Sequence, residues 1–247
     1  MGWRRSYMCY KMKIMNLNIN DFGGIANHRE EYKKIFNKKY LVEWDKLDKS
    51  HNVDGIFQYI EDLTSKPDII VLQEFDINSK EAKYFKGKME GLGYKLASEN
   101  PSKRPSMTVF FIAKGIAYEH IKYIHERNLR AYAVKLCNDL VVYGTHVPPK
   151  YDKVFWNELD CFVETYRNHK LVLIGDFNTI NVYNKSRLEA LLNKTGLIDV
   201  WLKKGNNNPI SVPGDYAFVS ETIKTDVEIE ISHIKFSDHP VIMLTLL

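Results

Sequence analysis

KLVLIGDFNTINVY, residues 170–183, sets a run of aliphatic side chains against an acid and an amide. Four consecutive aliphatics at 171–174, bounded by Asn168-His169-Lys170 and by Gly175, leave no face for water. The stretch reads as a strand buried on both sides. Asp176 and Asn178 close it, and a carboxylate at the end of a buried strand is costly unless it caps a helix, meets a cation or belongs to a site. PDIIVLQEFD, residues 67–76, has the same order of turn, aliphatic run, amide or glycine, acid and Phe. Each copy follows a helical pattern. Ile56, Tyr59, Ile60 and Leu63 share a face in 53–63, and Phe155, Leu159, Phe162, Val163 and Tyr166 share one in 153–166. Two like helix-strand units predict two like half-domains.

Further strands are predicted at 11–20, 106–113, 130–136, 140–147, 215–220, 224–236 and 240–247, and the alternation in DVEIEI gives the sixth of these one wet face. Residues 28–44 and 186–196 read as helices, the second ending at Gly196. Strands outnumber helices, and the helices fall between groups of strands. This predicts an α/β fold of two sheets packed face to face with helices outside.

A chain of 247 residues without repeats or a Gly/Ser linker suits one domain, expected over 12–247 with 1–11 as a leader. No apolar run approaches the roughly 20 residues that cross a bilayer. The opening MGWRRSYMCYKMKIM lacks the roughly 7 to 15 residue apolar stretch of a signal peptide. A cytoplasmic protein is expected, and a monomer. Cys9, Cys137 and Cys161 are odd in number and far apart, which fits neither a disulfide framework nor a paired zinc site. Lys plus Arg (35) exceeds Asp plus Glu (31) by four, giving a formal +4. That excess permits a polyanionic partner without requiring one. Basic groups recur at 33–34, 38–39, 80–88, 103–104 and 203–204, each of which reads as a solvated face as readily as a contact.

Polar residues collect at strand ends. Asn18 lies in the first strand, Glu74 and Asp176 end aliphatic runs, and His146 ends VVYGTH. Asp215 starts DYAFVS, and Asp238-His239 precede the last strand. Hard divalent cations prefer carboxylate and amide oxygens with retained water, and histidines supply protons or hydrogen bonds near neutral pH. The inventory suits metal-assisted phosphoester hydrolysis. Taken singly, each member also has a plain reading: Asn18 as an edge residue, Glu74 and Asp176 as helix caps, His146 as a hydrogen-bonded loop residue, Asp238 as a turn. Asp199 in GLIDVW reads as structural.

In order, NLNIN (16–20), VLQE (71–74), GTHVPP (144–149), IGDFN (174–178), DYAFVS (215–220) and SDHP (237–240) resemble the endonuclease/exonuclease/phosphatase superfamily, the DNase I-like and exonuclease III-like phosphoesterases. The resemblance implies a four-layer α/β/β/α sandwich with two mixed β-sheets and a site at the sheet ends. By that resemblance Glu74 is the principal ligand of Mg2+ (or Mn2+), assisted by Asn18 and by Asp238 through water. Asp176 orients or deprotonates the attacking water, and Asn178 holds that water or the phosphate. His239 contacts phosphate oxygens, oriented by Asp215, and His146 acts on the leaving group or scissile phosphate. Asn20, Lys103 and Arg104 are expected on the substrate side.

Departures from the pattern bear on substrate. AP endonucleases usually carry Tyr where His146 stands and Arg where Gly214 stands, and inositol polyphosphate 5-phosphatases usually carry Arg beside both acidic elements. DNase I-like members back the histidine with a mid-chain carboxylate, whereas NPSKRPSMTVFF holds no acid for that duty unless Glu99 reaches it. The leading expectation is a nuclease cleaving phosphodiester bonds of DNA or RNA. The alternative is a phosphatase or phosphodiesterase of a small nucleotide, sugar phosphate or lipid headgroup. Residues 21–52 are expected either to rim the cleft or to decorate the surface.

Overall fold

A computed structural model describes residues 11–24, 49–98, 107–121, 129–204 and 214–247. The leader up to residue 10, the helix expected at 28–44, and Glu99, Lys103 and Arg104 lie outside the described residues.

Two six-stranded mixed sheets form the centre. One runs in the order β11 (Val227–Ser232), β12 (Val241–Leu246), β1 (Met12–Asn18), β2 (Ile69–Phe75), β4 (Met107–Ala113) and β3 (Tyr94–Leu96). The other runs β5 (Tyr118–His120), β6 (Ala131–Leu136), β7 (Leu140–His146), β8 (Lys170–Asp176), β10 (Asp215–Val219) and β9 (Ile198–Asp199). Each sheet is built on one parallel pair, β1 with β2 and β7 with β8, connected through α1 (Ser50–Asp62) and α3 (Lys153–Tyr166) respectively. Antiparallel strands flank each pair, β12 and β4 in the first sheet and β6 and β10 in the second. The echo between 67–76 and 169–178 is thus a structural correspondence: β2 and β8 occupy equivalent places in the two halves.

Strand periodicity sorts the aliphatics into layers. Ile14, Val71, Val142, Ile174, Ala217 and Leu244 pack between the sheets. Met15, Leu17, Ile70, Leu72 and Phe111 face α1 and α2 (Lys80–Gly91), which bring Ile56, Ile60, Phe85 and Met89. Tyr143, Leu171, Leu173 and Phe218 face α3 and α4 (Val182–Thr195), which bring Trp156, Leu159, Phe162 and Leu191. Helix, sheet, sheet, helix is the expected four-layer sandwich. Full burial of such a side chain contributes about 1.5–3 kcal/mol, so the layers have ample free energy to hold costly polar groups at one end.

The element boundaries differ from expectation in explicable ways. The strand anticipated at 224–236 is confined to Val227–Ser232, because His233 to Ser237 leave the ladder to bring Asp238 and His239 round. The helix anticipated from 186 begins at Val182, where Asn181 accepts the Tyr183 N–H as its cap. The lysines at 80–88 lie on α2, which also buries Ala82, Phe85 and Met89. Neither Glu74 nor Asp176 caps a helix; those duties fall to Ser79 and Asn181. Asp199 does cap, accepting from Trp201 and Leu202 N–H at the start of α5 (Val200–Lys203).

Candidate active site

Strand direction decides which ends meet. The carboxyl ends of the parallel pairs β1/β2 and β7/β8 lie beside the amino ends of their antiparallel neighbours β12 and β10. That edge therefore collects Asn18, Glu74, His146, Asp176, Asp215 and the Asp238-His239 turn. Side-chain parity then decides which of them face inward. Asp176 shares the parity of Val172 and Ile174, His146 that of Val142, and Asp215 that of Ala217, all between the sheets. Asn18 shares the parity of Ile14 on the same face.

Glu74 has the wrong parity: a regular strand would point it with Ile70 and Leu72 toward the helices. A bulge corrects this, since the β2/β4 register shifts between Leu72 and Phe75 and Glu74 takes φ 55°. Phe75 consequently joins Ile70 and Leu72 on the helix side. The left-handed conformation costs on the order of 1–2 kcal/mol for a non-glycine residue, which the surrounding core over-determines.

Hydrogen bonds tie the set together. The Asn18 amide nitrogen donates to Glu74 Oε1 at 3.3 Å and to Asp176 Oδ2 at 3.2 Å, bridging the two halves of the molecule. Its Oδ1 accepts the Asn20 N–H at 2.9 Å, which fixes that amide orientation. Asn20 opens a turn in which it, Asp21 and Phe22 all have positive φ, held by the Lys49–Asp21 ion pair and by Asn52 on the Phe22 carbonyl. Asp176 Oδ1 accepts the Asn178 N–H at 2.8 Å, and the Asn178 side chain donates to the Val147 carbonyl at 2.7 Å. Asn184, fully buried, donates to the Pro148 and Asn178 carbonyls and accepts from Trp156 Nε1 at 2.9 Å, which ties together the loops after β7 and β8.

On the other side Ser237 donates to the Asn18 carbonyl at 2.6 Å and accepts the His239 N–H at 3.1 Å. His239 Nδ1 lies 2.7 Å from Asp215 Oδ2. A Cβ at Gly214 would stand 2.7 Å from Asp176 Oδ1, so the residue before Asp215 has no room for a side chain.

The electrostatics follow from four acids set around two imidazoles, with Asp176 and Asp215 buried among them. Burial raises Asp176 to about 6, with the charge of Asp215 adding to the effect. Glu74 is raised as well, by burial first and then by Asp176 and Asp238. Burial by itself would lower His239, but the hydrogen bond and charge of Asp215, with Asp176 and Asp238, outweigh it and raise the ring to about 10. His239 is therefore a cation at neutral pH. His146 goes the other way, to about 3, because it is buried and faces Arg130 and His239. Its Nε2 lies 3.6 Å from Glu74 Oε1 and 3.7 Å from Asp176 Oδ2; with a neutral ring these are not ion pairs.

A divalent cation fits this donor set. The oxygens are hard, burial holds the Glu74 and Asp176 carboxyls above their ordinary range, and buried Oδ1 atoms of Asp215 and Asp238 have no hydrogen-bond partner. Among the described residues no three or more His, Cys, Asp or Glu side chains are grouped so that they could hold a metal ion. Asn18, expected as a ligand, has its oxygen engaged by Asn20 and its nitrogen between the two acids.

A profile of the endonuclease/exonuclease/phosphatase family matches residues 49–239. The chain belongs to that family. As its name states, the family gathers nucleases and phosphatases, enzymes that hydrolyse phosphoesters. No curated protein sequence matches the chain. Among solved structures it is similar to the AP endonuclease LMAP from Leishmania major, with a TM-score of 0.66 at 13% identity over 96% of this chain and 88% of that one. It is similar also to a variant of the Neisseria 3' phosphatase NExo bound to a product DNA hairpin, with 0.64 at 16% over 95% and 99%. A third similar structure is the humanized D. rerio TDP2, with 0.58 at 17% over 96% and 99%. At these identities the likeness establishes the DNase I-like fold.

The sequence pattern anticipated seven of the residues gathered here, Glu74, His146, Asp176, Asn178, Asp215, Asp238 and His239, together with Asn18 and Asn20 beside them. It missed Arg130, Ser237, Asn184 and Trp156, which orient the others. Ser237 was in view within SDHP; the rest carry no local signal because their partners are distant in the chain.

Proposed function

We propose that the protein is a divalent-metal-dependent phosphodiesterase that cleaves DNA or RNA by attack of water. The observation that carries the reading is the Asn18 amide spanning Glu74 and Asp176 beside the Asp215–His239 pair, which gathers acids from both halves within one cleft. Glu74, with Asp238 through water, would hold Mg2+ or Mn2+, which when bound supplies positive charge against the charge that develops on phosphate oxygens. Asp176, poised near 6, accepts the proton of the attacking water. Asn178, whose amide is anchored on Val147, orients that water or the phosphate. His239, charged and held by Asp215, presents Nε2–H to a phosphate oxygen.

Nucleic acid is supported as substrate by the named activities of similar folds, an AP endonuclease and a 3' phosphatase bound to DNA. A second reading, a phosphodiesterase of a lipid headgroup, draws on one feature. Ile180, on the loop that carries Asn178, Val182 and Tyr183, at the start of α4, and Tyr151 and Val154, around the start of α3, are all exposed, and the two tyrosine rings lie 6.0 Å apart. An apolar rim beside a phosphoester site suits an amphiphile.

The test is product release from supercoiled plasmid, single-stranded DNA, RNA, bis-p-nitrophenyl phosphate, p-nitrophenyl phosphate and phospholipid vesicles, with Mg2+, Mn2+ or EDTA, beside Asp176→Asn. Metal-dependent nicking that the variant loses is the expected result. Turnover of vesicles or of the monoester alone would transfer the assignment to the second class of substrate.

A further inference from the structure

Arg130 stands immediately before β6, and its carbonyl accepts hydrogen bonds from both sheets: from the His146 N–H at 2.7 Å and from Thr108 Oγ1 of β4 at 2.7 Å. The adjoining Leu129 carbonyl accepts the Thr108 N–H at 2.8 Å. The root of the arginine is therefore fixed where the sheets meet. Its Nη1 lies 3.1 Å from His146 Nδ1. A guanidinium has five N–H donors, no acceptor, and does not lose its proton in a protein. The bond has one sense only: Arg130 donates and Nδ1 accepts. A neutral imidazole that accepts at Nδ1 carries its hydrogen on Nε2. Nε2 is the nitrogen that faces Glu74 and Asp176, at distances too long for direct hydrogen bonds, so its N–H is available to an oxygen placed among them.

We propose that Arg130 is a positioning residue that fixes His146 as the neutral Nε2–H tautomer and so makes it a hydrogen-bond donor to a phosphoryl oxygen of the substrate. The choice of acceptor rests on the phosphodiesterase reading above; the tautomer does not. A carboxylate behind Nδ1, as expected from the family pattern, would hold Nδ1–H and leave a basic Nε2 toward the substrate. Arginine in that place reverses the polarity of the ring. The leaving group then takes its proton from another source, and His146 contributes by hydrogen bonding to the phosphate.

Long-range 1H–15N NMR of the labelled protein in EDTA reads the tautomer directly, with His146→Gln to assign the ring. The wild type is expected to show hydrogen on Nε2 and a bare Nδ1. Arg130→Lys keeps that pattern and Arg130→Glu moves the hydrogen to Nδ1; should the glutamate variant fail to fold, Arg130→Met is expected to give a mixture. Hydrogen on Nδ1 in the wild type, or a pattern indifferent to these substitutions, overturns the proposal. With bis-p-nitrophenyl phosphate and Mg2+, Arg130→Glu is expected to lower kcat about tenfold or more with KM little changed, and Arg130→Lys to restore most of it. If the wild type hydrolyses no phosphoester, the phosphodiesterase reading and the role of donor to substrate fall together, while the tautomer assignment stands on the spectrum alone.

Discussion

Asp176 is a residue whose cost and use have the same origin. Burial and Asp215 lift it to about 6, close to where a general base is most effective. Asp176→Asn keeps the shape and the hydrogen bond to the Asn178 N–H while removing the base. The expected outcome is a fall in kcat on the order of 100- to 1,000-fold, about 3–4 kcal/mol, with an unchanged circular dichroism spectrum. Asp215 pairs with His239 Nδ1. The folded pKa of His239, about 10, lies above its ordinary 6.5, so its contribution to stability is complete below about 6.5 and is lost as pH rises through about 10. In metal-free protein the melting temperature should therefore decline between pH 7 and pH 10. That decline should be shallower in Asp215→Asn, and equal slopes in the two proteins would refute the pairing.

Among elements, β8 shows how a strand is built to deliver a charge. Its last three residues have opposite requirements: Ile174 fills the inter-sheet core, Gly175 allows contact with β7, and Asp176 turns inward. Gly175 has φ 149°, and a Cβ there would sit 1.9 Å from the Thr145 carbonyl oxygen. Gly175→Ala is expected to lower stability by roughly 3 kcal/mol or more, through strain and displacement of β7, as read from the midpoint of urea unfolding. Activity should fall further than the remaining folded fraction explains, because His146 and Asp176 are paired across that contact. β2 solves the same problem differently, with a bulge in place of a glycine. LIGDFN and VLQEFD thus look alike in sequence, yet their acids reach the cleft by separate backbone devices. The aliphatic run and the acid were legible in both; the change of parity at Glu74 was not, because it depends on pairing with β4.

For the whole molecule, the site belongs to neither half. Asn18 and Glu74 come from the first sheet, His146, Asp176 and Asp215 from the second, and His239 from the turn that returns to the first. Binding of a cation to these groups would stabilise the assembled sandwich and not the unfolded chain. Mg2+ at about a hundred times its Kd is expected to add about 2.7 kcal/mol, on the order of 5–10 °C in melting temperature. Glu74→Gln should abolish most of that increment together with activity. A melting temperature indifferent to Mg2+, Mn2+ and EDTA would count against the metal assignment.

The hydrophobic layers, the nine longer strands, the helices α1, α3 and α4, and the identity of most acids and imidazoles at the strand ends were readable along the chain, whereas the short strands β3, β5 and β9 and the helices α2 and α5 were not. The readable features follow from periodicity and from the expense of placing a charge beside a buried run, both of which are local. Folding in three dimensions was needed to settle which nitrogen of His146 meets Arg130, that the Asn18 amide spans two acids, that Ser237 ties His239 to β1, and that Asn184 joins the loops after β7 and β8. Apart from the His239–Ser237 and Asn184–Asn178 bonds, those contacts join residues 16 to 219 positions apart. Their physical basis is strand direction and register across two sheets, which no short stretch of chain encodes.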